Sequence, residues 1–293
     1  MKEKTIYALG FFDGVHLGHL ALLERCRSMA DDLGCNAGVV TFLGHPDALV
    51  HGQAPTLINT PQDRKKLLRQ FHIDTAQELP FDKALMEMPW QDFFAMLVTR
   101  YGAAGLVCGS DFRFGRRGEG TAEKLRNACQ AAGIPCAVVP EQTLDGVRIS
   151  STHIRNLLEQ GDIRQANRFL GHPHILSGTV IRGKQLGRTI GIPTANLAYP
   201  EGLAKLPFGV YACTATVDSQ RYRAVTNIGT RPTVSGTSVT VEPWLLDFSG
   251  DLYGQTLILE FYDFLRPEKK FDSLQELAAQ IRQDAVITQK VIP

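Results

Sequence analysis

The sequence predicts an α/β unit on a parallel sheet over residues 1–170, then an antiparallel β-barrel with one closing helix over residues 171–293. Three observations lead there. Short apolar runs alternate with amphipathic stretches through the first half, the pattern of a parallel sheet covered on both faces by helices. Near Gly171 the pattern changes to successive strand-like runs separated by Gly, Pro and Ser, which suits an antiparallel barrel. A chain of 293 residues is long for one compact domain, and two domains of this size can each bury a core.

The elements follow in order. Thr5–Leu9 reads as a strand, and the run from Leu20 to Leu33 as a helix with Leu20, Leu23, Cys26 and Ala30 on one stripe. Ala37–Phe42 reads as a buried strand. Thr60-Pro61-Gln62-Asp63 supplies a cap, a proline at the first helical position and an acid at the third, opening a helix to about Phe71. Further helices are expected at Trp90–Tyr101 and Thr121–Ala132, each stopped by a glycine, and further strands at Gly105–Cys108 and Cys136–Val139. Helical segments at Thr152–Glu159 and Ile163–Phe169 bridge to the second half. There, strands are expected at Gly178–Arg182, Val210–Val217, Tyr222–Asn227, Val239–Leu246 and Thr256–Phe264. The capping box Ser273-x-x-Glu276 opens a helix to about Asp284.

Bulk properties narrow the function classes. A net charge of +1 leaves no polyanion footprint, so nucleic acid is not expected as a partner. No apolar stretch approaches the ~18–20 residues that cross a bilayer, and the first residues carry no signal-peptide h-region. The six cysteines contain no Cys-x-x-Cys pair and are expected as buried free thiols, consistent with a cytoplasmic protein.

Two regions carry chemistry. Gly10-Phe11-Phe12-Asp13-Gly14-Val15-His16-Leu17-Gly18-His19 runs from the first strand into the first helix. His16 and His19, three apart at a helix start, share one face at roughly 5–6 Å. Gly18 permits close approach of a phosphate, and the free amides at the helix start favour anions. Imidazole donors there suit an α-phosphate gaining charge during nucleotidyl transfer. At this composition His-x-Gly-His arises by chance only about 0.02 times, so a pair of surface histidines is the weaker reading. Arg148-Ile149-Ser150-Ser151-Thr152-His153-Ile154-Arg155 offers hydroxyls at a helix start flanked by arginines, either a second phosphate grip or a plain capping cluster. Asp111-Phe112-Arg113-Phe114-Gly115 follows a presumed parallel strand, where open sheets bind ligands; an ordinary charged loop is the competing reading.

In the second half, Gly183-Lys184-Gln185-Leu186-Gly187-Arg188 can form a loop over phosphates. Thr194 and Asn196 offer neutral oxygens on alternate positions, able to hold Mg²⁺ that keeps waters and ATP oxygens. A turn-rich hairpin explains the same residues without a ligand.

Together these segments resemble the bacterial bifunctional riboflavin kinase/FMN adenylyltransferase family. The first half matches its Gly-x-Phe-Asp-Gly-Val-His-x-Gly-His motif at Gly10–His19, Thr-Phe-x-x-His-Pro at Thr41, Phe42, His45 and Pro46, Asp-Phe-x-Phe-Gly at Asp111–Gly115, and Ile-Ser-Ser-Thr-x-Ile-Arg at Ile149–Arg155. The second half matches Gly-Arg-x-x-Gly-x-Pro-Thr-Ala-Asn at Gly187–Asn196, Gly-Val-Tyr at Gly209–Tyr211, Asn-Ile-Gly-x-Arg-Pro-Thr at Asn227–Thr233, Glu242 with Leu245–Phe248, Leu252–Gly254 and Leu265–Phe271.

The resemblance spans about Ile6 to Asp284 and implies a Rossmann-like nucleotidyltransferase domain followed by a riboflavin kinase barrel. It implies that His16, His19, Arg148, Ser151 and Thr152 hold ATP phosphates, with Gly10, Phe12, Asp13, Gly18 and Arg155 completing that site. Phe42, Asp111, Phe112 and Phe114 would frame the nucleotide and flavin pockets. Arg266 is placed with the flavin, a surface ion pair being the other reading. Gly183, Lys184, Gly187 and Arg188 would bind the kinase ATP, Thr194 and Asn196 the Mg²⁺, and Glu242 would act as general base on the riboflavin 5′-hydroxyl. Pro243-Trp244 stands where a polar pair is expected, and Ser110 where a larger residue is common. The expected substrates are riboflavin, FMN and ATP. Two rivals are another nucleotidyltransferase of the same fold, which leaves the barrel without a role, and a flavin-sensing regulator, which leaves the histidine pair and Glu242 without one.

Overall fold

The computed structural model describes residues 4–50, 52–183, 186–233 and 236–292. Strands β1 (Thr5–Leu9), β2 (Asn36–Leu43), β3 (Thr75–Pro80), β4 (Ala103–Gly109) and β5 (Cys136–Val139) form one sheet. Their order is β3-β2-β1-β4-β5, and every neighbouring pair is parallel. Helices α1 (Leu17–Leu33), α2 (Pro61–Gln70), α3 (Trp90–Thr99) and α4 (Ala122–Ala131) connect them. The core beneath α3 and α4 gathers Tyr7, Leu9, Val40, Leu97, Leu106 and Leu125, all buried. Strand order runs one way from β1 to β3 and the other way through β4 and β5. The loops leaving β1 and β4 therefore diverge and open a crevice at the carboxyl edge of the sheet.

Two elements differ from expectation. Helix α1 starts at Leu17 rather than Leu20, because its first turn is fixed by a cap and not by apolar spacing. Strand β3 was not expected: Thr-Ala-Gln-Glu-Leu-Pro has no apolar alternation, and only pairing with β2 makes it an edge strand.

In the second half, β6 (His174–Thr179), β7 (Leu197–Ala198), β8 (Gly209–Val217), β9 (Gln220–Thr233), β10 (Gly236–Leu245) and β11 (Thr256–Pro267) pair antiparallel in the order β6-β11-β8-β9-β10-β7. Just past β6, the Ile181 amide donates to the Asn196 carbonyl at 2.9 Å, so the barrel is nearly closed. Strand β6 begins four residues before the expected Gly178, and its first three residues, His174, Ile175 and Leu176, are buried on both faces. Strand β9 runs on through Gly229 and Pro232, residues that read as a turn in isolation, because β10 pairs with it throughout. Helices α5 (Ser151–Gln160), α6 (Ile163–Leu170) and α7 (Leu274–Val291) complete the chain. Ser273 caps α7 by accepting from the Glu276 amide at 3.2 Å, and the helix continues a further two turns beyond Asp284.

By packing, one unit comprises Met1–Thr56 and Arg64–Ser151, the other Leu57–Asp63 and Thr152–Pro293. The bridging helices thus pack with the barrel, as does the excursion Leu57–Asp63. Within that second unit, Leu57 exchanges backbone hydrogen bonds with Gly202 and Ala204, and Asn59 donates to the Ile175 carbonyl. The fully buried Asp63 carboxylate accepts from the amide and hydroxyl of Ser177.

Helix α7 is held by an ion pair. Arg266 donates from Nε at 3.1 Å and Nη2 at 2.8 Å to Asp284, whose side chain is 1% exposed and also accepts from Gln280. Removing one partner of a buried pair strands the other, so Asp284→Ala should cost about 3–5 kcal/mol. The loss is read from the denaturant midpoint of the second unit, and adding Arg266→Met should recover part of it. On β6, burial pushes the His174 imidazole down to about 4, aided by neighbouring His172 and opposed by Asp63. The ring is neutral in the fold, and the unfolded chain binds its proton near 6.5. Stability is therefore full above pH 6.5 and falls by on the order of 3 kcal/mol as pH drops to 4. His174→Gln should flatten that slope in a pH series of melting temperatures.

Candidate active sites

At the switch point the chain leaves β1, makes a short 3-10 turn at Asp13–Val15 and enters α1. Phe12 (φ 58°) and Val15 (φ 44°) both take left-handed backbone conformations and both are fully buried. For a bulky or β-branched residue this costs roughly 1–3 kcal/mol and persists only where packing over-determines it. His16 caps α1: its Nδ1 accepts the His19 amide at 3.3 Å. In the neutral ring the proton therefore sits on Nε2, which is left as a donor. The His16 and His19 rings stack with centroids 3.7 Å apart and planes 15° apart. The two rings turn toward each other, one from a cap residue with an extended backbone and one from the first turn of the helix. Burial holds His19 well below the ordinary 6.5, helped by His16 and then by Arg64. His19 thus offers a neutral hydrogen-bond donor.

A cleft of about 230 Å³ is lined by Gly10, His16, Gly18, His19, Ser110, Asp111, Phe112, Arg148 and Ser151. The Ser151 hydroxyl donates to the Asp13 carbonyl at 3.0 Å, tying the start of α5 to the β1 loop. Arg148 lies 2.6 Å from Asp111 and 2.8 Å from Glu141. Phe12 and Asp13 are buried behind this surface. Thr152 and Arg155 are not among its lining residues; Arg155 is buried in the second unit. A second cavity of the same unit, about 980 Å³, is lined by Phe42, Phe81, Phe93 and Phe114, with Arg113, Arg116 and Arg117. Of the four residues assigned to the flavin in this half, Phe42 and Phe114 thus share one cavity, while Asp111 and Phe112 line the histidine cleft. Phe112 and Phe114 stack at 5.5 Å.

Arg64 has no counterpart among the expected site residues. It is 3% exposed, donates to the Phe11 and Phe42 carbonyls at 3.0 Å each, and lies 4.7 Å over the Phe11 ring. Its position three and four residues before buried Leu67 and Leu68 is the signal that could have found it.

In the barrel, Leu197 pairs with Val241 and Ala198 with Thr240. Continued one residue, with the Ala195 amide donating to Pro243 at 2.9 Å, this register sets Asn196 beside Glu242. On the other side Glu242 faces Asn227. Thr240 donates to Glu242 at 3.2 Å, and Asn227 donates to Glu268 at 3.4 Å. Thr194 lines an adjacent cavity of about 450 Å³ with Pro193, Phe248, Asp251 and Tyr253. A β-carbon on Gly183 would lie 2.5 Å from the Asn196 carboxamide, so only glycine lets this loop cover it. Gly187 likewise rests against the Ile192 carbonyl. Lys184 lies outside the described residues, as does the side chain of Arg188. Arg266 is engaged by Asp284 as described above. Trp244 packs with Val210, Val225, Leu246 and Ala285 toward α7. Asn227 and Glu268 were not expected at this site.

A histidine-capped helix at a parallel-sheet switch point, with a separate barrel that sets Glu242 beside Asn227 and Asn196, defines a two-domain nucleotide-dependent transferase. Residues 1–153 match the family model described as FAD synthetase, and residues 170–292 the one described as Riboflavin kinase. The chain is 34% identical to a bifunctional riboflavin kinase/FMN adenylyltransferase of Bacillus subtilis, covering 97% of this chain and 91% of that one. It is 36% identical to one of Haemophilus influenzae, over 94% and 90%. A crystal structure described as a macrolide-efflux protein from Streptococcus pneumoniae superposes with a TM-score of 0.87 at 30% identity, covering 99% and 95%. No helix among the described residues is long and apolar enough to cross a membrane. The chain belongs to the bifunctional riboflavin kinase/FMN adenylyltransferase family.

A β-carbon on Gly18 would sit 3.2 Å from Cε1 and Nδ1 of His16, so the ring must shift by a few tenths of an ångström, against a cap hydrogen bond already 3.3 Å long. Gly18→Ala should therefore push the imidazole off its cap, at a cost of about 1 kcal/mol. Long-range ¹H–¹⁵N spectra would show the fixed His16 tautomer replaced by a mixture; an unchanged tautomer would contradict the crowding.

Proposed function

We propose that the barrel phosphorylates riboflavin to FMN and the α/β unit adenylylates FMN to FAD, each with its own ATP. The observation that carries the reading is the stacked, capped histidine pair at the switch-point cleft, accompanied by a separate barrel carboxylate. In the first unit an FMN phosphate oxygen attacks the α-phosphorus of ATP, the bond to the β-phosphate oxygen breaks, and pyrophosphate leaves. His16 Nε2–H, His19 and Arg148 donate to the oxygens that gain charge, and the amides at the start of α1 and at Ser151 add to them. The aromatic cavity with its arginine rim suits the isoalloxazine ring.

In the barrel, Glu242 accepts the proton of the riboflavin 5′-hydroxyl as its oxygen attacks the γ-phosphorus of ATP and ADP departs. Thr240 holds the carboxylate from the same strand. No group of three or more His, Cys, Asp or Glu among the described residues is placed to hold a metal. The oxygens of Thr194 and Asn196 are too weak a set for a resident ion, and they fit a Mg²⁺ that arrives with ATP and keeps its waters. Such an ion would neutralise phosphate charge. Proton transfer and positioning are left to the protein. Six free cysteines support a reducing, cytoplasmic setting.

Glu242→Ala should lower FMN formation by about 10²–10⁴-fold and leave FMN-to-FAD conversion intact. Replacing His16 and His19 with alanine should do the reverse, by about 10²-fold or more. Both are read by chromatographic separation of riboflavin, FMN and FAD. Loss of both activities in either variant, with the fold intact, would count against separate sites.

A further inference from the structure

Arg148 makes an arrangement that phosphate binding alone does not call for. A single atom, Nη2, lies 2.6 Å from Asp111 Oδ2 and 2.8 Å from Glu141 Oε1. The three residues come from three segments of the cleft rim. Asp111 follows β4, Glu141 follows β5, and Arg148 ends the short hairpin in which Thr143 pairs with Arg148 and Leu144 with Val147. The hairpin fixes the Arg148 backbone but not its side chain, which is 55% exposed. A long side chain so exposed loses up to about 2 kcal/mol of rotamer entropy on being fixed. We propose that Glu141 is a positioning residue for adenylylation: with Asp111 it holds the Arg148 guanidinium in the cleft before nucleotide arrives. The proposal rests on the reading that Arg148 grips an ATP phosphate.

The geometry favours holding over blocking. Both carboxylates take the same nitrogen, leaving Nη1 and Nε for a phosphate oxygen. At 2.8 Å the Glu141–Arg148 ion pair lies well inside the screening length. Repulsion between Glu141 and a phosphate lying beyond Arg148 acts over a longer distance and across solvent, because Glu141 is itself about half exposed, and is weaker than the direct pair. Exposed pairs of this kind are worth about 1 kcal/mol or less, so the effect should be a few-fold one on nucleotide affinity. It should leave the chemical step alone, since Glu141 touches no reacting atom.

The test is a double-mutant cycle on the full chain at about 0.15 M ionic strength. Glu141→Gln should raise the KM for ATP in FMN adenylylation about three- to fivefold with kcat changed less than about twofold, and Glu141→Asp should recover part of it. Riboflavin phosphorylation, measured on the same samples, reports whether the fold is intact. In an Arg148→Ala background the Glu141→Gln effect should vanish. A KM that is unchanged or lower in Glu141→Gln, or a rise of equal size in the Arg148→Ala background, would overturn the proposal. If Arg148→Ala itself leaves the KM for ATP unchanged, the phosphate reading fails and the proposal fails with it.

Discussion

The guanidinium of Arg64 donates to the carbonyls of Phe11 and Phe42 while buried among Asp13, Glu78 and the Phe11 ring. These carbonyls belong to the chain leaving β1 and β2, so one side chain fixes the origin of both walls of the first unit's chemistry. Burial lowers its affinity for its proton, opposed by Asp13 and then Glu78. From the other side Ser151 anchors the Asp13 carbonyl. Between these two fastenings the backbone passes through left-handed Phe12 and Val15, a path it would not hold unaided. The stacking of His16 on His19 is the outcome: strain in the loop is exchanged for a fixed tautomer at the helix cap.

The two sites solve a similar problem with different secondary structure. In the α/β unit, donors converge because parallel strands end on one edge and a helix begins there. In the barrel, antiparallel register sets Glu242 on β10 beside Asn227 on β9, and Asn196, just before β7, lies across from Glu242 in the same register. Neither site is asked to form a covalent bond to its substrate, so what the protein supplies is placement and charge compensation. The side chain that breaks this pattern is Arg266, whose forked donors serve Asp284 and the seat of α7.

Much of this was legible in the sequence. The alternation of the first half gives the parallel sheet, and Cys136–Val139 is a strand with the bounds its apolar run suggests. The histidine motif stands out from its own residues between a strand and a helix, whereas Glu242 is singled out only by the family resemblance. What was not legible depends on distant partners. Thr75–Pro80 becomes a strand only against β2. Arg64 looks like a solvated helix charge beside Lys65 and Lys66 unless its place above Leu67 and Leu68 is weighed. Glu141 carries no local pattern at all, since Arg148 reaches it across a turn and Asp111 joins them from another strand.

The excursion Leu57–Asp63 makes the two units inseparable by a single scission. The chain leaves the α/β unit after Thr56, contributes a piece to the barrel unit and returns at Arg64. The Asp63 carboxylate that accepts from Ser177 is therefore encoded more than a hundred residues before the strand it caps. Recombination that joined or parted such units in a gene would have to move this insert as well as the obvious terminal half. Modularity of function here does not coincide with modularity of the polypeptide.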